Sequence, residues 1–499
     1  MENNYSLKWF AFIGIALVTF ACYLDYTVVN IALPTIQREL NVTITSLQWI
    51  MNIYFLALCV LATIMGRCGD LYGRRKLFYV GTGIFGIASL IAGFAPNIEC
   101  IIFGRLLQGV GAALVLPLGA SMLPGIFPPN QAAKSIAWLG SLGGIALALG
   151  PVMGGYIVSY WGWRWIFFIN IPIVILGYLF CLKSVKESLV TLKNRDLDFT
   201  GMFLLMLTMG GLVLGLIRAE THGWSNVLTL TFLSVGVISS IILFKVENKK
   251  ENSLIDFADF SKLLFYCGAM MCMLAGVMSA CSLFFDPIYL QVILGQTPEY
   301  SGFVLFVIPV AVFFVAFIVG WLIHLIGIIP TIIIGMSLSV LAGLSQIFFS
   351  HYTPLWYIVI SFIFLGGMWA IGNTASIIAG QSAVPSDRAS AATGTIVTMF
   401  NIGGSLGLAI AVVIYHWRSN HFLGEFVGQQ NIANEDLQHL QQSLENPTHA
   451  LQSSMSDAIH DLFNAAFIHG FTGVMWFLFL LSAIILSSVL IWKMKEKKI

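Results

Sequence analysis

The sequence predicts an all-α polytopic membrane protein with 14 transmembrane helices. Hydrophobic residues make up 58% of the 499-residue chain and charged residues 9%, where soluble domains carry about 25% charged residues. The mean hydropathy is +0.89. The apolar residues also gather in runs near the length of about 20 residues that crosses hydrocarbon as a helix. The wealth of aliphatic and aromatic residues excludes a disordered chain. A net charge of +1 gives no basic footprint for nucleic acid.

The candidate spans lie near 9–33, 47–66, 77–95, 99–123, 134–158, 166–183, 199–218, 226–245, 262–289, 301–325, 328–349, 354–378, 392–415 and 467–492. The first run, Trp9–Leu33, is too long for the apolar core of a signal peptide and is expected to stay as a span. Basic residues in the connecting segments set the orientation. With the N-terminus inside, 19 of the 24 Lys and Arg fall in inner segments, including Arg67, Arg74, Arg75, Lys76, Lys186, Lys193, Arg195, Lys249, Lys250 and Lys493–Lys498. Only Arg38, Arg164, Arg218 and Arg418 fall outside, and Arg105 lies within the fourth span. An even number of spans then places both termini in the cytoplasm.

Two polar stretches interrupt the runs. Ser184–Asp198 is a basic inner linker, and Arg418–Ala466 is an acidic outer loop. In that loop Leu451, Met455, Ile459, Leu462 and Ala466 recur at helical spacing, which predicts an amphipathic helix on the outer face. Its histidines, His421, His439, His449 and His460, lack the i, i+4 spacing of a shared helix face. The eight cysteines form no C-x-x-C pair. No metal site, cofactor motif or catalytic constellation is expected, so the chain does not read as an enzyme.

An internal repeat organises the spans. Gly66, Asp70 and Gly73 follow span two, and Gly320, His324 and Gly327 follow span ten at the same spacing. PPNQAAK at 128–134 and VPSDRAS at 384–390 form a second pair. The repeat predicts two six-helix bundles, residues 1–185 and 251–499, the second carrying the outer loop 418–466. Residues 186–250 form a linker and an inserted two-helix hairpin. Transporters are built from such repeats, with the substrate site between them. A receptor or scaffold needs neither the repeat nor charges inside the bilayer.

Four segments carry the chemistry. Leu24–Pro34 places Asp25 inside span one, where an ionised acid costs about 2.5–3.5 kcal/mol on insertion scales. Phe103–Pro117 places Arg105 inside span four; it keeps its proton and must be paired or wet. Asp25 lies about 12 Å and Arg105 about 9 Å from the outer ends of their spans, by helical rise, so the two can meet as a proton-sensitive pair. Gly66–Lys76 is a tight inner turn in which Asp70 stands among Arg74 and Arg75. Leu139–Gly155 runs through span five with Gly150, Pro151, Gly154 and Gly155; small residues let helices approach, and Pro151 favours a bend. Asp286, in FFDPIYLQ at the outer end of span nine, corresponds by the repeat to Asp25. An acid facing an aromatic-rich cavity suits a lipophilic cation.

These motifs resemble the major facilitator superfamily, and the span count resembles its fourteen-span drug:proton antiporter branch. Leu24–Pro34 is similar to that branch's span-one motif. Gly66–Lys76 is similar to the inner-turn motif, with Cys68 and Leu71 as departures. Arg105, Gln108, Gly109 and Gly111 resemble the span-four motif tied to proton coupling. Gly150, Pro151, Gly154 and Gly155 resemble the antiporter motif of span five, whose upstream glycines are here Ala137 and Ala146. WGWRWIFFINIP, 161–172, also resembles this branch. The resemblance implies a major-facilitator fold in the inner (cytoplasmic) membrane. It implies proton-coupled multidrug efflux by alternating access, with Asp25 and Arg105 in coupling, Asp286 in substrate binding, and Gly66, Asp70, Gly73, Arg74 and Arg75 as a conformational gate. The expected partners are a small-molecule substrate, protons, the lipid bilayer and, as an open option, a periplasmic adaptor. The alternative is a dedicated exporter of one natural product, such as a siderophore or a fatty acid.

Overall fold

In the computed structural model, all 14 apolar runs form helices long and apolar enough to cross a membrane. The structure describes residues 2–185, 198–250, 257–384, 389–430, 440, 443–444 and 457–496. Among them no strand occurs. In chain order the helices are α1 (Glu2–Leu40), α2 (Ile44–Tyr72), α3 (Arg74–Gly93), α4 (Ile98–Ile126), α5 (Pro129–Trp161), α6 (Trp165–Phe168), α7 (Asn170–Ser184), α8 (Phe199–His222) and α9 (Val227–Glu247). They continue with α10 (Leu263–Ile288), α11 (Pro298–Leu305), α12 (Val307–Ile326), α13 (Ile328–Ile347), α14 (Leu355–Ser382), α15 (Ala389–Gln430) and α16 (Asp457–Glu496). Span six is thus built from α6 and α7, which meet at Ile169, and span ten from α11 and α12, which meet at Phe306. Span nine is α10 extended by one wide turn, Tyr289–Ile293, after Pro287.

The chain divides into two units. The first comprises Met1–Ala32, Trp49–Met202 and Thr297–Phe306. Its helices meet at glycines: a Cβ on Gly14 of α1 would lie 2.6 Å from Cys181 Sγ of α7, and one on Gly109 of α4 would lie 2.7 Å from Ala57 Cβ of α2. Where hydrocarbon surrounds a protein, helices associate through such close packing.

The second unit comprises Leu33–Gln48, Phe203–Gln296 and Val307–Ile499. Helix α10 is buried along nearly its whole length and packs on α14 and α15. Met273 meets Gly403, Val277 meets Gly407, and the Phe285 ring lies 5.5 Å from that of Tyr415. The constant offset makes α10 and α15 parallel neighbours. Helices α8 and α9 form the inserted hairpin: a Cβ on Gly211 would lie 2.7 Å from the Gly236 nitrogen, and one on Gly215 2.6 Å from Leu233. Gly211 and Gly215 form a G-x-x-x-G face of the kind that brings spans together.

The repeated turns have matching backbones. Gly73, before α3, has φ 104° and Gly327, before α13, has φ 90°, a region that side chains disfavour and glycine enters freely. The third position of the G-x3-[Asp/His]-x2-G pattern therefore has a conformational cause in both units.

The region 418–466 departs from expectation. Helix α15 continues past residue 415 to Gln430, and residues 457–466 begin α16 instead of forming a separate surface helix. Leu462 and Ala466 are buried on the inward face of this extended last span. Leu451 and Met455 lie outside the described residues.

Candidate functional site

Asp25 and Arg105, 80 residues apart, form an ion pair between Arg105 Nη1 and Asp25 Oδ2, and both side chains are 0% exposed. The other carboxylate oxygen, Oδ1, accepts from Asn170 Nδ2 at 2.8 Å and from Gln108 Nε2 at 3.0 Å. Gln108 Nε2 also reaches Ser89 Oγ at 2.9 Å, and its Oε1 accepts from Arg105 Nη1 at 2.9 Å. Arg105 Nε donates to the Ile50 carbonyl at 3.2 Å, and the guanidinium lies 4.3 Å from the centre of the Tyr54 ring. Arg105 Nη2 has no partner among the described residues. Helices α1, α2, α3, α4 and α7 each contribute to this one centre, all within the first unit.

The local sequence explains the placement. Arg105 and Gln108 stand at i, i+3 on α4, so they share a face. Gly104 and Gly109 flank them and let α3 and α2 approach; a Cβ on Gly104 would lie 3.0 Å from Ala92 Cβ. Burying a charge is costly unless it is paired and hydrogen-bonded, and here the acid has both kinds of partner. Asn170 was not among the candidate residues. The signal for it was a lone carboxamide inside the apolar run Trp165–Leu182. Tyr54 and Ser89 carry no comparable mark.

Asp286 differs sharply. It is 0% exposed, and among the described residues no side chain of another helix donates to its carboxylate. The Ser282 hydroxyl, one turn earlier on α10, is its polar neighbour. Aromatic rings crowd the same level of the second unit: Tyr415 meets Phe285 and Phe467 with centroids at 5.5 and 5.4 Å, and Tyr289, Phe349 and Phe471 form a triangle of stacked rings with centroids 5.1 to 6.1 Å apart.

The Gly66–Lys76 turn ties helix ends together. Arg74 Nη1 donates to the Ser121 carbonyl of α4 at 2.6 Å, and Arg75 Nη2 to the Leu182 carbonyl near the end of α7 at 3.2 Å. The ends of helices carry unpaired carbonyls and partial negative charge, which cations satisfy. Arg75 also lies over the Tyr79 ring at 5.2 Å. The surroundings of Gly66 and of the Asp70 side chain lie outside what the structure describes.

In α5 the glycines divide into two sets. A Cβ on Gly150 would fall 1.8 Å from Thr27 Oγ1, and one on Gly154 2.9 Å from the Val28 carbonyl, both on α1. A Cβ on Gly155 would fall 2.6 Å from the Pro298 carbonyl of α11, and one on Gly302 would fall 2.3 Å from the Pro151 carbonyl. Glu299 N also donates to Ser159 Oγ at 3.1 Å. Gly140 and Gly144, by contrast, have no atom within 4 Å of a Cβ position. The helix itself runs without interruption through Pro151.

The chain resembles known transporters in sequence and fold. It is 30% identical over 420 residues to the multidrug resistance protein Stp of Mycobacterium tuberculosis (strain CDC 1551 / Oshkosh), covering 82% of this chain and 76% of that protein. It is 30% identical over 411 residues to the tetracenomycin C resistance and export protein of Streptomyces glaucescens, covering 81% and 76%. Its fold matches the crystal structure of a bacterial homologue of the human lysosomal transporter Spinster with a TM-score of 0.68, at 13% identity and over 97% of both chains. The sequence model of the Major Facilitator Superfamily matches residues 15–408. With that match across most of its length and its 14 apolar helices, the chain belongs to the Major Facilitator Superfamily and is a multi-pass membrane transporter, not an enzyme.

Proposed function

We propose that the protein exports hydrophobic, often cationic organic compounds across the cytoplasmic membrane in exchange for protons, by alternating access. The observation that carries this reading is the buried Asp25–Arg105 pair with its two amide donors. Arg105 keeps its charge at any working pH, whereas Asp25 can take up a proton. Protonation removes a charge–charge attraction that is far stronger in a dry interior than in water. It also weakens the acceptor that Asn170 and Gln108 share, because a neutral carboxyl oxygen takes weaker hydrogen bonds than a carboxylate. The tie that Asp25 makes between α1, α4 and α7 loosens in one step, which is the kind of local electrostatic event that biases a two-state transporter. The multidrug resistance and export relatives support the outward direction.

In this reading residues 1–185 and 251–499 are the two bundles and 186–250 the linker with its inserted hairpin. The Gly66–Arg75 turn, with Asp70, is an inner gate: Arg74 and Arg75 brace α4 and α7. Gly150, Pro151, Gly154 and Gly155 give α5 its close-packed surface. Asp286, a buried acid with no described donor from another helix, receives the positive charge of a substrate. The relative named for tetracenomycin C favours a second reading, a dedicated exporter of one natural product.

Proton-coupled flux in inverted membrane vesicles tests the proposal. An imposed pH gradient is expected to drive accumulation of lipophilic cations, and a protonophore to abolish it. Accumulation that ignores both would overturn the coupling. A panel of chemically unrelated compounds separates the two readings of breadth. Asp286→Asn is expected to lower export of cations several-fold more than export of neutral compounds; equal loss for both would reassign Asp286 to structure. Tags at residue 193 and at the C-terminus are expected to report the cytoplasm, and a tag at residue 440 the outside. A cytoplasmic signal at residue 440 would refute the orientation.

A further inference from the structure

Pro151 sits inside α5 and has no N–H to donate. The carbonyl four residues earlier, that of Leu147, therefore lacks its helical partner. In the structure it accepts a hydrogen bond from Thr27 Oγ1 of α1 at 3.2 Å. Four other prolines lie inside helices, Pro34, Pro117, Pro124 and Pro287. The bond at Leu147 also depends on Gly150, because any Cβ there would sit 1.8 Å from Thr27 Oγ1. The Thr27 hydroxyl has one proton and a second acceptor in reach, the Leu24 carbonyl of its own helix at 3.4 Å. Its donor can therefore serve α5 or fall back on α1.

We propose that Thr27 is a positioning residue that fills the carbonyl opened by Pro151 and so ties the acid-bearing segment of α1 to α5 at its proline. Thr27 follows Asp25 by two residues on the same helix. A shift of α1 on protonation of Asp25 moves the hydroxyl relative to Leu147. When the bond to Leu147 breaks, the hydroxyl returns to Leu24, so the donor stays satisfied and the free carbonyl lies at the proline, where the helix is weakest. The tie thereby passes the state of the ion pair to the surface formed by Gly150, Gly154 and Gly155. This consequence rests on the proton-coupled reading above; the hydrogen bond itself does not.

The test is a double-mutant cycle on the full-length protein in lipid nanodiscs, read by amide hydrogen exchange. Thr27→Val keeps the shape and removes the donor. Exchange around residues 147–155 is expected to rise about fivefold, the worth of one net hydrogen bond, and Thr27→Ser to hold it near the wild-type rate. Pro151→Ala restores an N–H for the Leu147 carbonyl, so adding Thr27→Val in that background is expected to change exchange little. Equal effects of Thr27→Val in both backgrounds would overturn the proposal, as would wild-type exchange in Thr27→Val alone. The same variants are then assayed for transport across pH. Thr27→Val is expected to displace the pH profile and Thr27→Ser to restore it. If the cycle holds but wild-type transport shows no response to a pH gradient, the coupling reading fails while the tie stands. If wild-type transport is proton-driven and the Thr27→Val profile is unmoved, the tie has no part in coupling and this inference fails.

Discussion

Asp25→Asn is expected to abolish pH-gradient-driven export while substrate exchange across the membrane persists. The amide has nearly the shape of the acid, and its oxygen can still accept from Arg105, Gln108 or Asn170. It cannot gain or lose a proton. Arg105 keeps the Tyr54 ring, the Ile50 carbonyl and Gln108 Oε1 as remaining partners, so the variant should insert and fold. Arg105→Ala is expected to be worse. Removing one member of a buried pair leaves the other uncompensated and costs about 3–5 kcal/mol, which should appear as poor expression or a lowered melting temperature. Combining Asp25→Asn with Arg105→Gln removes both charges and should recover stability without recovering coupling. The decisive comparison is counterflow against gradient-driven accumulation in the same vesicles. Accumulation that still follows the pH gradient in Asp25→Asn would remove Asp25 from the coupling mechanism.

Gly155→Val is the second large effect. Its Cβ would lie 2.6 Å from the Pro298 carbonyl and 3.0 Å from Glu299 Cα, both backbone atoms that no rotamer change can move aside. Overpacking a tight contact costs about 1–3 kcal/mol, and here the cost falls on the meeting of α5 with α11. Transport is expected to drop at least about tenfold, the equivalent of 1.4 kcal/mol in an equilibrium between conformations. Gly144→Val is the matched control. It lies on the same helix with nothing within 4 Å of its Cβ position, and transport should stay near wild type. Equal losses at both positions would mean that valine harms α5 itself and that the contact with α11 is unimportant. Initial rates normalised to surface abundance distinguish these outcomes.

The sequence reached the centre of the site by depth alone. Two charges inside apolar runs, at similar distances from the same side, had to meet or be wetted, because neither could stay alone in hydrocarbon. The same argument could not find Ser89 or Tyr54. A hydroxyl or phenol is tolerated in a span, so its presence signals nothing about its partner. Nor could it separate Asp25 from Asp286. The repeat treats the two as equivalents, yet one is saturated with donors from other helices and the other has none from another helix among the described residues. Partner supply depends on which faces of α4 and α7 turn towards α1, and no window of sequence encodes that rotation.

What the sequence determined by itself was the number of spans, the inner-turn glycines and the identity of the buried charges. Each follows from a free energy that is local: about 20 apolar residues to cross hydrocarbon, a backbone region that only glycine enters freely, and the penalty on an ion outside water. Tertiary structure alone decided which glycines of α5 are in contact, which acid is paired, and where the carbonyl freed by Pro151 finds its donor. Gly144 and Gly155 are alike in sequence and differ only in what stands opposite them. Thr27 and Leu147 are 120 residues apart. Hydrogen bonds and van der Waals contacts act over a few ångströms. They are therefore set by how helices rotate and approach, which is fixed only when all the spans have packed.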